Sequence, residues 1–238
     1  MEVNIDSLVL EVTRRCNERC EHCLRGKAQN LNMSFNIIDR VLDQINSISS
    51  VTFTGGEVTL YTKAIQYFVE GLKKRRMTIG GFYVVTNGKI ASISLVHALI
   101  DLYSLVDSGD EEYTCGLAVS SDQFHEDVPV PSIYKALKFY RPDEKRGDIN
   151  MEGVIDEGMA HYNGIGHRKE KVRPFEFGQW DNSSVSIEED FYVSSNGNVI
   201  SNCDLSYKRI DEEALGNILT QSLVDIIGAN VKEEALCS

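Results

Sequence analysis

The sequence lacks several features that would place it in a common class. It has no run of eighteen apolar residues, and its N-terminus lacks the basic start and apolar core of a signal peptide. It also lacks an excess of positive charge, because 24 lysines and arginines stand against 36 aspartates and glutamates, for a formal net charge of −12. We therefore expect a cytoplasmic protein that binds neither a membrane nor nucleic acid, since both partners attract basic surfaces.

Cysteine is scarce but unevenly distributed. The chain has six cysteines, and three of them, Cys16, Cys20 and Cys23 (the cysteine trio), lie in the segment CNERCEHC. In a reducing compartment, clustered thiols indicate a metal site or catalysis rather than disulfides. Structural zinc needs four ligands, yet the sequence has no second CxxC pair, and His22 is an awkward fourth ligand beside Cys23. An iron–sulfur cubane takes one thiolate per iron, so three thiolates leave one iron open.

Strand and helix patterns alternate along the first 140 residues. This alternation predicts a parallel sheet covered by helices. Further along, we predict a fifth strand at residues 149–156 and a short sixth strand between residues 158 and 178. Strands are predicted at residues 7–12, 51–54, 81–85 and 114–120, and helices at residues 34–48, 61–76, 92–106 and 131–140.

Short polar motifs follow each of the first four predicted strands. The cysteine trio follows the first strand, GGE the second, TNG the third and SSD the fourth. Parallel sheets of this kind place their chemistry at the carboxyl ends of the strands. The four motifs are therefore predicted to meet in one site.

The spacing CxxxCxxC after the first strand closely resembles the signature of the radical S-adenosylmethionine (SAM) superfamily. His22 stands where that family usually has an aromatic residue before the last cysteine. The resemblance covers residues 6–125 well and residues 145–175 weakly. Three further segments are similar to the motifs that end the next strands in the family: FTGGE at residues 53–57, VVTNG at residues 84–88 and LAVSSD at residues 117–122.

The resemblance implies a partial (β/α)6 barrel of TIM type within the α/β class. It also implies a [4Fe-4S] cluster on Cys16, Cys20 and Cys23, with SAM bound at the open iron. In the family, the glycine backbone and the acid of GGE receive the methionine amino group, and polar residues of the later motifs lie near the ribose and carboxylate. The implied SAM-binding residues are Gly55, Gly56, Glu57, Thr86, Asn87, Ser120 and Asp122.

Plain structural alternatives exist for several of these residues. Gly55-Gly56 is also what a tight strand-to-helix turn requires, and TNG is also typical of a turn with Gly88 in a left-handed conformation. Glu57 is suited to the N-terminus of a helix. His125 is either a group that faces substrate or an ordinary surface histidine.

The C-terminal part of the chain, residues 179–238 (the annex), is predicted to be distinct from the core at residues 1–178. It combines a hairpin at Asn196-Gly197 with a final helix at residues 215–231, and resembles the SPASM or twitch extension of many radical SAM enzymes. Such extensions carry auxiliary clusters. The annex has two cysteines, Cys203 and Cys237, which are too few for an ordinary four-ligand cluster.

We therefore expect an annex without an auxiliary cluster. The alternative is an incomplete cluster held by Cys203, Cys237 and a non-cysteine group. Cys115, on the fourth predicted strand, is expected to be a buried apolar residue.

The function implied by the resemblance is reductive cleavage of SAM to a 5′-deoxyadenosyl radical that abstracts hydrogen from a substrate. No conventional catalytic acid, base or nucleophile is needed. The annex favours a peptide or protein substrate, as in the modification of ribosomally made peptides. An electron donor such as flavodoxin or ferredoxin is implied, as is sensitivity to oxygen. The alternatives are a radical SAM enzyme for a small molecule or nucleotide, and a non-catalytic metal-binding interaction module.

Overall fold

The computed structural model describes residues 1–107, 115–144, 147–175, 177–180 and 183–230. Over these residues, eight strands join in one sheet. The strands are β1 (Glu2–Thr13), β2 (Ser47–Gly55), β3 (Ile79–Thr86), β4 (Cys115–Val119), β5 (Phe177–Trp180), β6 (Ser184–Val193), β7 (Asn198–Ile200) and β8 (Gly216–Asn217).

Helices follow β2 and β3 as well as the cysteine loop, as the sequence pattern predicts. Each covers the sheet with a buried apolar face; in the first helix this face includes Ile38 and Val41. No helix in the described part of the chain has the length and apolarity that crossing a membrane requires. The helices are α1 (Phe35–Leu42), α2 (Thr62–Arg75), α3 (Ile93–Tyr103), α4 (Ser132–Lys135), α5 (Gly158–Tyr162), α6 (Tyr207–Glu212) and α7 (Leu223–Ala229).

The sheet has the order β4-β3-β2-β1-β6-β7-β8, with β5 paired to β6. Strands β1 to β4 are parallel to one another, and β6 is parallel to β1 on its other side. This mostly parallel α/β arrangement confirms the predicted fold class, and a partial barrel is consistent with it. Because β1 is internal to the sheet, both of its edges are hydrogen-bonded, and its later half is continuously buried.

The predicted fifth strand at residues 149–156 is wrong. Residues Met151–Gly153 form a 3₁₀ turn instead. Asn150 begins this turn, because its side-chain oxygen accepts a hydrogen bond from the Glu152 amide at 3.1 Å. A local side-chain cap thus replaces the extended conformation that the apolar pattern indicates.

A segment bonded to the outer edge of β4 explains why, among the described residues, no further parallel strand joins the sheet there. Leu117 donates its amide to the Phe139 carbonyl and accepts the amide of Arg141, both at 2.9 Å. A short extended segment therefore occupies the edge that a fifth strand needs. The region predicted to hold a sixth strand contains α5, and the next strand, β5, begins at Phe177 and runs antiparallel to β6.

The predicted hairpin in the annex is confirmed, whereas the final helix is shorter than predicted. Strands β6 and β7 are antiparallel, and Gly197 in their turn has φ of +86°. The helix predicted from residue 215 begins only at Leu223, after Ser222 accepts the Asp225 amide at 3.1 Å. The preceding residues Gly216–Asn217 pair with β7 as β8 instead.

A buried ion pair at the end of β1 is hydrogen-bonded to the annex. Glu11 and Arg14 are 0% and 1% exposed, and the Arg14 Nε lies 2.7 Å from Glu11 Oε1. The other Arg14 nitrogens bind the Asp211 carboxylate on α6 at 2.7 and 2.8 Å. Glu11 also accepts the Tyr192 hydroxyl at 2.6 Å and the Ser195 amide at 2.9 Å. Since most hydrogen-bonding positions of these two groups are satisfied, their burial is tolerated.

Replacing Arg14 by methionine should be strongly destabilising, because the Glu11 carboxylate stays buried without its cation. We expect Arg14→Met to lower the free energy of unfolding by about 3–5 kcal/mol. Lys73→Met is the matched control, because Lys73 pairs only with exposed carboxylates, and it should cost about 0–1 kcal/mol. Urea denaturation followed by circular dichroism measures both. Equal losses would show that the buried pair contributes no more than a surface pair.

Candidate metal and cofactor site

A cavity of about 1470 Å³ opens at the carboxyl ends of the parallel strands. It brings together the loops that follow β1, β2, β3 and β4, as the chain order of the motifs predicts. Every predicted site residue lines it: Cys16, Cys20, Cys23, Gly55, Gly56, Glu57, Thr86, Asn87, Ser120 and Asp122.

The loop after β1 is fixed by backbone hydrogen bonds at both of its ends. The Arg14 amide donates to the Leu31 carbonyl at 2.9 Å, where the loop leaves and rejoins the sheet. Within the loop, the Cys23 amide donates to the Cys20 carbonyl at 3.2 Å, and the Cys23 carbonyl accepts the Met159 amide at 2.8 Å. The cysteine trio is free and half-buried along one wall of the cavity.

The surroundings of Cys16 and Cys20 favour the protonated thiols. Burial raises the pKa of Cys16, and negative charges nearby add to the effect. Burial, followed by the charge of Glu18, raises the pKa of Cys20 to about 12. Metals bind thiolates, so loading this site releases protons. Three thiols on one loop, each able to ligate one iron, suit a cubane cluster with one open corner.

Glu18 is a site residue that the sequence analysis missed, although it lies inside CNERCEHC. Its side chain is only 6% exposed, and its Oε1 lies 3.1 Å from Lys89 Nζ. Asn87 donates to the Asn17 side chain at 2.8 Å in the same region. The cysteine loop is thereby attached to the turn after β3.

Gly55 and Gly56 are required by the packing of the backbone. Gly55 has φ of +135°, and a Cβ on it would lie 2.0 Å from the Thr13 carbonyl oxygen. A Cβ on Gly56 would lie 2.2 Å from the Arg15 carbonyl oxygen. The tight-turn explanation therefore accounts for both glycines, since the end of β2 contacts the start of the cysteine loop directly. Both residues also line the cavity.

Glu57 connects β2 to the turn after β3. It is 2% exposed, and its Oε1 accepts the Thr86 hydroxyl at 2.6 Å. The same oxygen accepts the amide and hydroxyl of Thr59, at 3.1 and 2.6 Å, at the start of a 3₁₀ turn. Its Oε2 accepts the Asn87 amide at 2.9 Å. The carboxylate therefore caps the start of a helical turn, as the structural alternative for Glu57 expects. Its role toward a SAM amino group stays a prediction.

The loop after β4 brings His125 next to His22 of the cysteine loop. Asp122 Oδ1 lies 2.9 Å from His125 Nδ1, and it also accepts the Phe124 amide at 2.9 Å. The Phe124 ring stacks on His22 with centroids 4.4 Å apart, and His22 contacts His125 edge-on at 5.2 Å. Burial lowers the pKa of His22. His125 lines the cavity with its side chain 14% exposed, so the surface alternative does not describe it.

Residues of the annex also line the cavity. Cys203, which follows the hairpin, lines the cavity together with Asp190, Asp204 and Tyr207. None of these four is among the predicted site residues, because their place at the cavity depends on the pairing of β6 with β1. Cys237 lies outside the described residues. Cys115 is 8% exposed within β4, as predicted for an apolar residue of the core.

Comparison with known proteins gives one family match. A family model described as a 4Fe-4S single cluster domain matches residues 8–112, which include the cysteine trio. Comparison with curated proteins finds no match.

Two solved structures share the fold of nearly the whole chain. One is hexahistidine-tagged anSMEcpe with bound AdoMet, at 16% identity and a TM-score of 0.55, over 97% of this chain and 82% of that chain. The other is native anSMEcpe with bound AdoMet and the Cp18Cys peptide, at 15% identity and a TM-score of 0.54, over 99% and 86%. SuiB of Streptococcus suis bound to the precursor peptide SuiA is more distant, at 11% identity and a TM-score of 0.49, over 93% and 64%.

At these identities, the likeness to solved structures is one of fold. The family match, described as a 4Fe-4S single cluster domain, agrees with the iron–sulfur cluster that the cysteine spacing leads us to expect.

Removing the charge of Glu18 should make Cys20 more reactive. We expect Glu18→Gln to lower the pKa of Cys20 and to speed its alkylation in cluster-free protein by about three- to tenfold at about pH 8, because the thiolate is the nucleophile. Glu21→Gln is the control, since Glu21 is an exposed carboxylate in the same loop. Mass spectrometry after timed exposure to iodoacetamide measures the rate. Unchanged alkylation in Glu18→Gln would remove Glu18 as a cause of the raised pKa.

Proposed function

We propose that this chain is a radical SAM enzyme whose [4Fe-4S] cluster is held by Cys16, Cys20 and Cys23. The observation that carries the proposal is that the cysteine trio and all the predicted SAM-binding residues line one cavity. When bound, the cluster supplies the electron that cleaves SAM to methionine and a 5′-deoxyadenosyl radical. The chain itself positions SAM and substrate and limits their contact with water.

The residues around the cysteine trio suit the binding of a zwitterionic cofactor. The backbone at Gly56 lies directly beside the cysteine loop. Glu57 provides negative charge, and its Oε2 accepts one hydrogen bond, from the Asn87 amide, among the described residues. The Ser120 amide donates to the Thr86 carbonyl at 2.9 Å, which brings the β3 and β4 turns together. We assign the SAM amino group to the Gly56–Glu57 end and the ribose and carboxylate to Thr86, Asn87, Ser120 and Asp122.

We further propose that the substrate is a peptide. The cavity is lined by the motif residues and by residues of the annex, and its volume of about 1470 Å³ exceeds that of ordinary ligand pockets. A fold shared with anSMEcpe, which has been solved with AdoMet and a peptide, supports this class of substrate. The proposal includes a core at residues 1–178, an annex at residues 179–238, a flavodoxin- or ferredoxin-like electron donor and a cytoplasmic location.

Loss of one cluster ligand should abolish both the cluster and the reaction. Anaerobically reconstituted protein should contain about four irons per chain, show a brown chromophore and release 5′-deoxyadenosine from SAM with dithionite. Cys20→Ala should lose all three properties, since one iron loses its protein ligand. Cys115→Ala should keep them, because Cys115 is buried in β4 and does not line the cavity. A wild-type protein without chromophore or 5′-deoxyadenosine would favour a non-catalytic module, and about eight irons would indicate an auxiliary cluster.

The substrate class is tested by comparing peptides with nucleotides. Reconstituted protein is incubated with SAM, dithionite and either the peptides encoded by neighbouring genes or a panel of nucleosides and nucleotides. We expect 5′-deoxyadenosine to form faster with a peptide, and mass spectrometry to show a modified peptide that heat-inactivated protein does not produce. A modified nucleotide with unchanged peptides would replace the peptide proposal with the nucleotide one.

A further inference from the structure

The backbone around the last cysteine of the trio, residues 21–26 (the Cys23 segment), is held by two other parts of the chain. Alternate carbonyls of this segment, those of Glu21, Cys23 and Arg25, each accept a hydrogen bond from a distant residue. The donors are, in that order, the Asn163 side chain at 2.9 Å, the Met159 amide at 2.8 Å and the Tyr207 amide at 3.1 Å. The first two donors belong to α5 and its C-terminal end, and the third begins α6 in the annex.

Gly158, the first residue of α5, lies directly against the Cys23 segment. It has φ of +55°, and a Cβ on it would lie 2.3 Å from the Leu24 carbonyl oxygen and 2.6 Å from the Cys23 carbonyl oxygen. Gly164, just after α5, also has a positive φ, of +68°, but a Cβ there would meet no atom of the described residues within 4 Å. Close contact with the Cys23 segment therefore requires glycine at Gly158, in addition to its backbone conformation.

A buried carboxylate connects the two elements that hold the Cys23 segment. Glu157 directly precedes α5 and is 7% exposed. Its Oε2 accepts the Ser206 amide at 3.3 Å, immediately before α6, and its Oε1 accepts Arg209 Nη1 at 2.5 Å. The Cys23 segment, α5 and α6 are therefore each hydrogen-bonded to the other two.

Arg209 binds one buried and one exposed carboxylate. Besides Glu157, its Nη1 binds the Glu170 carbonyl at 2.9 Å, while its Nε and Nη2 bind Glu213 at 2.7 and 2.9 Å. Glu213 is exposed on α6 itself, so this second ion pair does not reach α5. An exposed ion pair contributes little, whereas breaking a buried one leaves a charge without its partner. The pair with Glu157 is thus the one that fixes α6 against α5.

An iron–sulfur cubane needs its thiolates at fixed positions. Each thiolate of the trio holds a different iron, so displacement of one sulfur weakens one corner of the cluster. Residues that orient a metal ligand without touching the metal typically change metal affinity by about 10–100-fold when they are replaced. Because α5 and α6 bind the backbone at Cys23 and on both sides of it, they bear on where the Cys23 sulfur lies.

We propose that Glu157 and Arg209 are positioning residues that hold Cys23 in place for the cluster. The proposal rests on the proposed function and gives the annex a part in it, because α6 of the annex stabilises the cluster that binds SAM. Neither residue is among those that line the cavity. Their effect therefore passes through the Cys23 segment and not through contact with SAM or substrate.

The experiment measures how fast the loaded cluster loses iron. Anaerobically reconstituted protein is mixed with a ferrous chelator, and the absorbance of the iron chelate is followed over time. Glu157→Gln keeps an oxygen for the Ser206 amide but loses the charge that binds Arg209, so we expect iron release about tenfold faster than in the wild type. Glu213→Gln removes an ion pair from the same arginine and should change the rate by less than about twofold.

A second pair of variants tests the contact through the backbone. Gly158→Ala places a methyl group against the Cys23 segment, whereas Gly164→Ala imposes a similar left-handed strain in open space. We expect only Gly158→Ala to speed iron release. In cluster-free protein, Glu157→Gln should also speed the alkylation of Cys23 relative to Cys16 by about threefold, because the Cys23 segment opens more often. Mass spectrometry after timed exposure to iodoacetamide measures this ratio.

A double variant tests whether the two residues act through one link. Arg209→Met should also speed iron release, and adding Glu157→Gln to it should change the rate no further. Independent, additive effects of the two replacements would overturn the proposal.

The remaining outcomes separate this inference from the proposed function and from general stability. Wild-type protein that takes up no iron would defeat the proposed function. A wild-type cluster that Glu157→Gln releases no faster would overturn only the positioning role. If Glu157→Gln lowers the unfolding temperature while iron release and the alkylation ratio stay at wild-type values, the link is structural alone, and the proposal fails.

Discussion

The buried pair of Glu11 and Arg14 is the interaction on which the geometry of the cavity depends. Two charges at the end of β1 are withdrawn from water, which is tolerable only because each is paired and hydrogen-bonded. Their partners lie in the hairpin turn and on α6, so the annex is oriented against β1. Arg14 also directly precedes the cysteine loop. One polar network therefore holds the annex against the strand that leads into the cysteine loop.

The part of the fold that sequence alone could predict is the part governed by local pattern. Apolar spacing located the first four strands and the helices beside them, and the motifs after those strands had to meet because parallel strands end at one edge. The failures lie where a cap or an occupied edge overrides the pattern. Asn150 caps a 3₁₀ turn where the fifth strand is predicted. Residues 139–141 already occupy the outer edge of β4. Ser222 delays the final helix while the residues before it join the sheet.

The missed parts of the site depend on contacts between distant segments. Leu10 of β1 is paired with Val193 of β6 in parallel register, so the hairpin and Cys203 arrive at the same edge as the cysteine loop. Nothing in the local sequence around residue 193 encodes that partner. The ion pair of Glu18 with Lys89 is also a contact between distant segments. Each of the two loops can be predicted from its own sequence, but their contact cannot. The glycines of GGE are a different case. The sequence predicts that they belong to the site, but close packing against the backbone at Thr13 and Arg15 explains why they are glycines without any cofactor.

The thiols that line the cavity fall into two kinds, the clustered cysteine trio and the single Cys203. Cys16 and Cys20 must lose their protons to hold iron, and metal binding provides the free energy for this despite the burial and negative charge that favour the thiols. Burial and a carboxylate also raise the pKa of Cys203. In the part of the chain that the structure describes, no second thiol lies beside Cys203 to form a metal site with it. A similar electrostatic environment therefore has different consequences at the two kinds of thiol. At the cysteine trio, a raised pKa means that cluster loading releases protons. At the single Cys203, a raised pKa keeps the thiol protonated.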